Sequence, residues 1–413
     1  MKSTLAIWIV LLLGSSVVDG GGISADLKVA DVQGTKPSKA YRYAELTIKN
    51  STGEVIETVL LKPGDIGMTI RYDLTVPPGT IGKRFVALPA TTTVQDYLIS
   101  VLSATEEKID QTSASITWPA GLISTDEFID VSYRPFFDDV TDWTMQTRRN
   151  YLLILVIYTL FVAGTLLIGR AKLRSAALIA IISAGIFLAI SLTSDKAKTI
   201  SEHHYQLLLL NADGTASKDC FTVVCSLTTR RYSTMADSSA HPVWLSARDA
   251  RNDDILLQGD SRTLHFMLAP GKARIIKTGL CPIDQRTVRT SEPAKGVETG
   301  SIRQEKDHYI IKSEYLSEGM VLLCNDSTWP IDPDKQNHRM ATVNIGTAIH
   351  QSVFIQKLNK QGRNHLAERI FSYWRWKYQR ADEYYLVKIH PCRDGVRMEV
   401  ISLENLSISG ENQ

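Results

Sequence analysis

Apolar and polar positions alternate in short runs along most of this chain, the mark of half-buried strands. From Asp26 to Arg134 the runs Tyr41–Lys49, Val55–Leu61, Gly67–Val76, Lys83–Leu88, Tyr97–Ser103 and Ala114–Trp118 are separated by turn clusters such as Asn50-Ser51-Thr52-Gly53 and Pro77-Pro78-Gly79. In Gly67–Val76 the residues Met68, Ile70, Tyr72, Leu74 and Val76 share one face. Strands at this spacing predict an antiparallel β-sandwich over residues 25–135.

The alternation stops at Tyr151. Tyr151–Gly169 has no charge in 19 residues, Ala176–Thr193 has none in 18, and the six residues between them carry Arg170, Lys172 and Arg174. This pattern predicts a two-helix transmembrane hairpin over 151–194, with Ala176, Ala180 and Ala184 as a small-residue packing stripe. Residues 136–150, with Trp143 and Arg148-Arg149, would be the juxtamembrane linker. Met1–Gly20 has a positive start, an apolar run at Leu5–Leu13 and a small-residue exit, so residues 1–24 read as a signal peptide or signal anchor. Export followed by an even number of spans puts both flanking domains outside the cytoplasm.

Strand periodicity returns over 198–413, at His204–Leu210, Phe221–Thr229, Val243–Ala247, Thr263–Leu268, Ala273–Lys277, His308–Tyr315, Met320–Cys324 and Ala341–Phe354. Tyr384–His390 and Val396–Leu403 form a closing hairpin around Pro391–Gly395. One amphipathic helix interrupts them at Asn364–Gln379, its stripe being Leu366, Ile370, Tyr373 and Trp374, with Glu368, Arg369, Lys377 and Arg380 on the solvent side. The expected fold class is therefore mostly β, two β-sandwich-like domains separated by a transmembrane helical hairpin, with one amphipathic helix near the C-terminus.

Lys and Arg total 46 against 44 Asp and Glu, a net charge of +2. Such a balance creates no basic field and argues against nucleic acid as a partner. The run Trp374-Arg375-Trp376-Lys377-Tyr378 interleaves aromatics and bases, but helical spacing spreads them around the circumference.

Candidate chemistry is sparse. Gly259-Asp260-Ser261 after the apolar Ile255–Leu257 resembles the first block of the GDSL hydrolases, so an extracytoplasmic serine hydrolase using Ser261 is the alternative function. A serine nucleophile needs a positioned histidine. That family's Asp-x-x-His is missing (Asp334 and His338 are one residue too far apart), and its Gly-x-Asn-Asp block survives only as the faint Cys324-Asn325-Asp326. The adjacent His203 and His204 would point to opposite faces of a strand, and Asp332-Pro333-Asp334 lacks the rest of a calcium loop. Cysteines stand at 220, 225, 281, 324 and 392. Cys220 and Cys225 would lie about 17 Å apart on a strand, too far to bridge each other; Cys281 and Cys392 lie in proline-bearing turns and are the candidate pair. Sequons begin at Asn50, Asn325 and Asn405. No catalytic, cofactor-binding or metal constellation is expected, and no cofactor.

The order of parts carries one resemblance. Tyr43–Asn50, Val76–Arg84, Leu152–Arg174, the segment Leu207–Val243 with Arg231-Tyr232-Ser233 and His241-Pro242, and the closing helix and hairpin together resemble an uncharacterised group of bacterial membrane proteins. Members of that group have an exported β-sandwich, a two-helix anchor and a C-terminal β domain. Longer members carry a glutamine-amidotransferase-like insert, for which the roughly 16 residues between Arg134 and Tyr151 leave no room. The resemblance implies a bacterial inner-membrane protein with both soluble domains extracytoplasmic. Its expected work is non-catalytic binding or scaffolding within a membrane assembly, with the lipid bilayer and protein subunits as partners.

Overall fold

The computed structural model describes residues 22–30, 40–122, 128–137, 149, 152–153, 156–160, 200–211, 215–226, 228–235, 240–279, 300–334, 339–360, 365–392 and 395–406. Its strands are β1 (Ile23–Val29), β2 (Tyr41–Asn50), β3 (Ile56–Pro63), β4 (Met68–Val76), β5 (Ile81–Pro89), β6 (Val94–Leu102), β7 (Lys108–Thr117), β8 (Ser201–Leu210), β9 (Ala216–Cys225), β10 (Arg230–Met235) and β11 (His241–Val243). They continue with β12 (Ile255–Gln258), β13 (Thr263–Leu268), β14 (Ala273–Thr278), β15 (Ser301–Glu305), β16 (His308–Lys312), β17 (Val321–Cys324), β18 (Ser327–Pro330), β19 (Met340–Asn344), β20 (Ile349–His350), β21 (Tyr384–Cys392) and β22 (Gly395–Asn405). The helices are α1 (Ala247–Asn252), α2 (Gln351–Lys360) and α3 (His365–Lys377). Two compact units result, Met1–Thr125 with Ala250–His265, and Asp126–Asp249 with Phe266–Gln413.

The first unit is a sandwich. One sheet is β1-β2-β5; the other contains β12-β4-β3-β6-β7 in that order. Alternation buries Ala44, Leu46 and Ile48 from one sheet and Val59, Leu61, Ile70, Ile99 and Val101 from the other. Two tyrosines tie the sheets: Tyr72 donates its hydroxyl to Ala87 O (3.1 Å) and accepts Ala87 N–H (2.7 Å), and Tyr97 donates to Pro89 O (2.6 Å). The sandwich is completed from far along the chain by β12, which lies parallel to β4 with Ile255 beside Met68 and Leu257 beside Ile70. Gly67 permits that approach, since a Cβ there would stand 1.9 Å from Asp253 O.

In the second unit one long mixed sheet runs β11-β14-β9-β8-β22-β21-β17-β18-β20, with β22 parallel to β8. Its first face carries Tyr205, Leu207, Phe221, Val223, Ile275, Val387 and Met398, covered by Ile370, Phe371, Tyr373 and Trp374 of α3. Tyr133 and Phe136, which precede the long uncharged runs, belong to this same core, and Phe136 packs 4.7 Å from Tyr205 between ring centroids. The opposite face carries Leu322, Leu386, Ile401 and Leu403 against Ile302, Ile311, Ala341 and Val343 of β15, β16 and β19.

Three expectations are corrected. The fold class included a transmembrane hairpin at 151–194; among the described residues no helix is long and apolar enough to cross a membrane. Most of that stretch, like the export-type Met1–Gly20, lies outside the described residues, and helix is described within it at 152, 153 and 156–160. A run of apolar residues fixes a hydropathy pattern, not the element that carries it. The second unit is also not a simple sandwich, because α2 and α3 cover a sheet face where a second sheet was expected. Finally, Ala341–Phe354 and Val243–Ala247 are not continuous strands. Asn344 caps a 3₁₀ turn at Ile345–Thr347 by accepting Gly346 N–H (2.8 Å), after which Gln351 opens α2, and Ala247 opens α1.

Candidate functional site

Among the described residues a dense cluster of titratable groups lies in the second unit, where β9 passes beneath α3. Asp219 follows the strand's alternation onto the core face, two residues before Phe221, so its carboxylate is buried at the edge of an aromatic core. Tyr373 donates to Asp219 Oδ2 at 2.9 Å, Tyr378 donates to the same oxygen, and Lys277 Nζ lies 3.4 Å from Oδ1. The single proton of Tyr373 is thereby used, so in its 3.1 Å contact with Tyr133 the Tyr133 hydroxyl is the donor. Lys377, one turn beyond Tyr373, donates to Tyr373 Oη (3.2 Å) and to Asp130 Oδ2 (2.6 Å), and lies over the rings of Tyr133, Tyr373 and Tyr378.

These environments fix protonation. Burial pushes Asp219 up, but Lys277, the Tyr378 hydrogen bond, Lys377 and Tyr373 together outweigh it and hold the carboxyl below its ordinary range. Asp130 behaves likewise, burial being overcome by Lys377 and Ser132. Tyr133 and Tyr373 are pushed far up, first by burial and then by their charged or hydroxyl neighbours, and so stay neutral donors. The result is a closed network that pins α3 and the Asp130–Phe136 segment to the sheet. It has no nucleophile with a depressed pKa and leaves no carboxylate oxygen without a partner.

Several residues singled out in the sequence have an observed place. Gly259-Asp260-Ser261 is a staple of the first unit: a Cβ on Gly259 would fall 2.2 Å from the Tyr72 ring, Asp260 accepts Asp73 N–H (3.0 Å) and pairs with Arg84. Ser261 is hydrogen-bonded to Thr263 Oγ1 (3.0 Å), and no imidazole bonds it among the described residues. Asn325-Asp326 forms the β17–β18 turn, Asn325 with a left-handed φ of 51°. Asp326 Oδ1 accepts from Arg375 and Gln351, both at 2.6 Å, so this turn sets both helices. His203 and His204 bond separately to Ser201 (3.0 Å) and Thr222 (2.9 Å). Among the described residues no group of three or more His, Cys, Asp or Glu could hold a metal ion. Cys225 is a buried thiol whose pKa burial raises, and Cys324 is a half-buried one. Cys281, and with it the Cys281–Cys392 pairing, lies outside the described residues. Asn50 is fully buried, its amide donating to Glu54 O (2.8 Å) and Val76 O (2.9 Å).

No family model matches the chain, and no curated protein matches it. Among solved structures, the chain is similar over 93% of its length to a 1.5-MDa bacterial ice-binding adhesin concerned with host cell surface retention, at 8% identity and a TM-score of 0.17, covering 98% of that chain. It is similar over 93% to a Ca2+-stabilized ice-binding adhesin of an Antarctic bacterium, at 10% identity and a TM-score of 0.17, covering 74% of that chain. A β-glucosidase involved in saponin metabolism, from intestinal bacteria, matches 24% of this chain at 14% identity and a TM-score of 0.14; the chain spans 16% of that protein. At these TM-scores the likenesses carry nothing further.

One feature of the second unit faces outward. Leu152, Leu153, Val156, Ile157 and Leu160 are helical and exposed, from 46% at Val156 to 68% at Leu160. Fully buried aromatics lie shortly before this stripe, at Tyr133 and Phe136.

Proposed function

We propose that the chain is a non-catalytic binding or scaffolding subunit of an assembly at a membrane surface, on the extracytoplasmic side of a bacterial inner membrane. The exposed apolar side chains of Leu152, Leu153, Val156, Ile157 and Leu160 support this reading, because exposed apolar groups gathered in one stretch are covered by lipid or protein in a working molecule. The side-chain chemistry supports it from the other direction. Asp219, Asp130 and Asp260 are spent on internal contacts, and Ser261 has a threonine, not a histidine, as its partner. The test is co-purification of the full chain from its native membranes in mild detergent, alongside a Ser261→Ala variant and labelling with a fluorophosphonate. The expected result is the same near-stoichiometric partner proteins for both chains, with no label at Ser261. Specific labelling of Ser261, or ester hydrolysis abolished by Ser261→Ala, would replace this reading with a hydrolase.

A further inference from the structure

We infer that the polar end of the β22 face, next to the apolar core it shares with β15, β16 and β19, binds a small oxyanion anchored by the guanidinium of Arg397. This site stands apart from the exposed apolar residues and from the membrane reading built on them. On that face β22 carries Leu403 and Ile401 into the apolar core and then, two residues at a time, Glu399 and Arg397. The ladders set further polar groups beside them: on β21 Lys388 lies opposite Glu399 and His390 opposite Arg397, and on β8 Gln206 lies beside Arg397. Arg397 is only 3% exposed and Gln206 is buried, whereas His390 and Glu399 are half-buried, so solvent reaches the cluster on their side. Arg397 Nε and Nη2 make no hydrogen bond, and neither do His390 Nε2 and Glu399 Oε1. Glu399 lies within ion-pair reach of both partners, 2.9 Å from Arg397 Nη2 and 3.5 Å from His390 Nε2, but neither contact is aligned as a hydrogen bond. Nε–H and Nη2–H are the parallel donors along one edge of a guanidinium, the edge that takes a carboxylate or phosphate in two-pronged fashion. Burying a guanidinium with that edge unused is costly, and one misaligned carboxylate does not offset it. The charge balance has the matching sign. Arg397 and Lys388, the latter held by its 2.9 Å bond to Ser317 Oγ, outnumber Glu399 before His390 is counted. Burial pushes the Glu399 carboxyl up, yet His390, Arg397 and Lys388 outweigh it and hold the group below its ordinary range. A phosphate or carboxylate answers this arrangement: two oxygens accept from Nε and Nη2, and His390, with a proton on Nε2, donates from across the ladder.

The experiment is thermal melting of the purified full chain in mild detergent, titrated with sodium phosphate or sodium acetate at fixed pH, with ionic strength held constant by sodium chloride. Both oxyanions are expected to raise the melting temperature along a saturating curve that chloride alone does not give. The one that saturates at the lower concentration identifies the ligand as a tetrahedral or a planar oxyanion. Arg397→Lys keeps the charge but loses the paired edge, and should weaken binding by about tenfold, the loss of one hydrogen bond to a charged group. Glu399→Gln removes the competing carboxylate and should tighten binding, the opposite of what a purely structural ion pair gives. Because Glu399 is half-buried, this variant decides the matter where Arg397→Lys does not fold. No saturating rise with either oxyanion would overturn the site. So would an Arg397→Lys chain that binds as tightly as the unmutated one, or a Glu399→Gln chain that does not bind more tightly.

Discussion

Asp219 shows how a single carboxylate can organise a core without becoming reactive. Its depressed pKa means that it contributes stability above the ordinary carboxylate value near 4, and that this is lost as pH falls through the folded-state value. Asp130 adds to the same acid limb with the same sign. The tyrosines act at the other end. Burial pushes Tyr72 up to about 12, so its contribution is complete below the unfolded value near 10 and is lost as pH rises through about 12. Urea unfolding against pH should therefore show an acid limb below about pH 4 and an alkaline limb above about pH 10. Asp219→Asn should flatten the acid limb and cost about 3–5 kcal/mol at neutral pH, since it leaves Lys277 facing a neutral amide. An unchanged acid limb would mean that the network contributes nothing. None of this was readable in the sequence. Asp219 is one acid before an apolar run, and its partners arrive from Tyr133, Lys277, Tyr373 and Tyr378, positions that no local spacing connects. The failure of Gly259-Asp260-Ser261 as a hydrolase block was readable, because the missing histidine is a local absence.

Single elements were far more legible. The six strands expected between Tyr41 and Trp118 appear as β2 to β7, because each has one buried face and a turn cluster at its end; β7 begins at Lys108, six residues before the expected Ala114. Helix α3 was found from its stripe, to which the structure adds Ala367 and Phe371. Its polar side differs from the expected solvated face at two residues. Arg369 is buried, and burial pulls its guanidinium down to about 10. Lys377, expected to be merely solvated, seals Asp130 and three tyrosine rings. Helical phase alone assigns a face but cannot say how wide the groove beneath it is. Trp374→Ala should lower stability by about 3–5 kcal/mol, while Trp376→Ala, 61% exposed, should stay within about 0.5 kcal/mol. Lys377→Ala should fall between them, about 1–3 kcal/mol, because it strands a largely buried carboxylate. Denaturant midpoints of the three variants decide the order; equal loss at Trp374 and Trp376 would place the core on the wrong face of the helix.

At the scale of the whole chain, sequence order misleads, because Ala250–His265 belongs to the first unit although it interrupts the second. A four-residue strand with no alternation of its own gives no sign of which sheet it will join. Leu257→Ala tests the assignment. Removing this buried side chain should cost about 2–5 kcal/mol, and hydrogen exchange should quicken at Met68–Arg71, its partners across the parallel ladder. Protection lost only in the second unit would contradict the pairing. The same strand has a consequence during synthesis. The edge of β4 that it covers is made early, yet β12 emerges about 140 residues after β7 is complete, a wait of roughly 7–30 s at ribosomal speeds of about 5–20 residues per second. Throughout that interval the nascent sandwich presents an unfinished strand edge, and whatever shields it from neighbouring chains on the polysome must act before the middle of the polypeptide has left the ribosome.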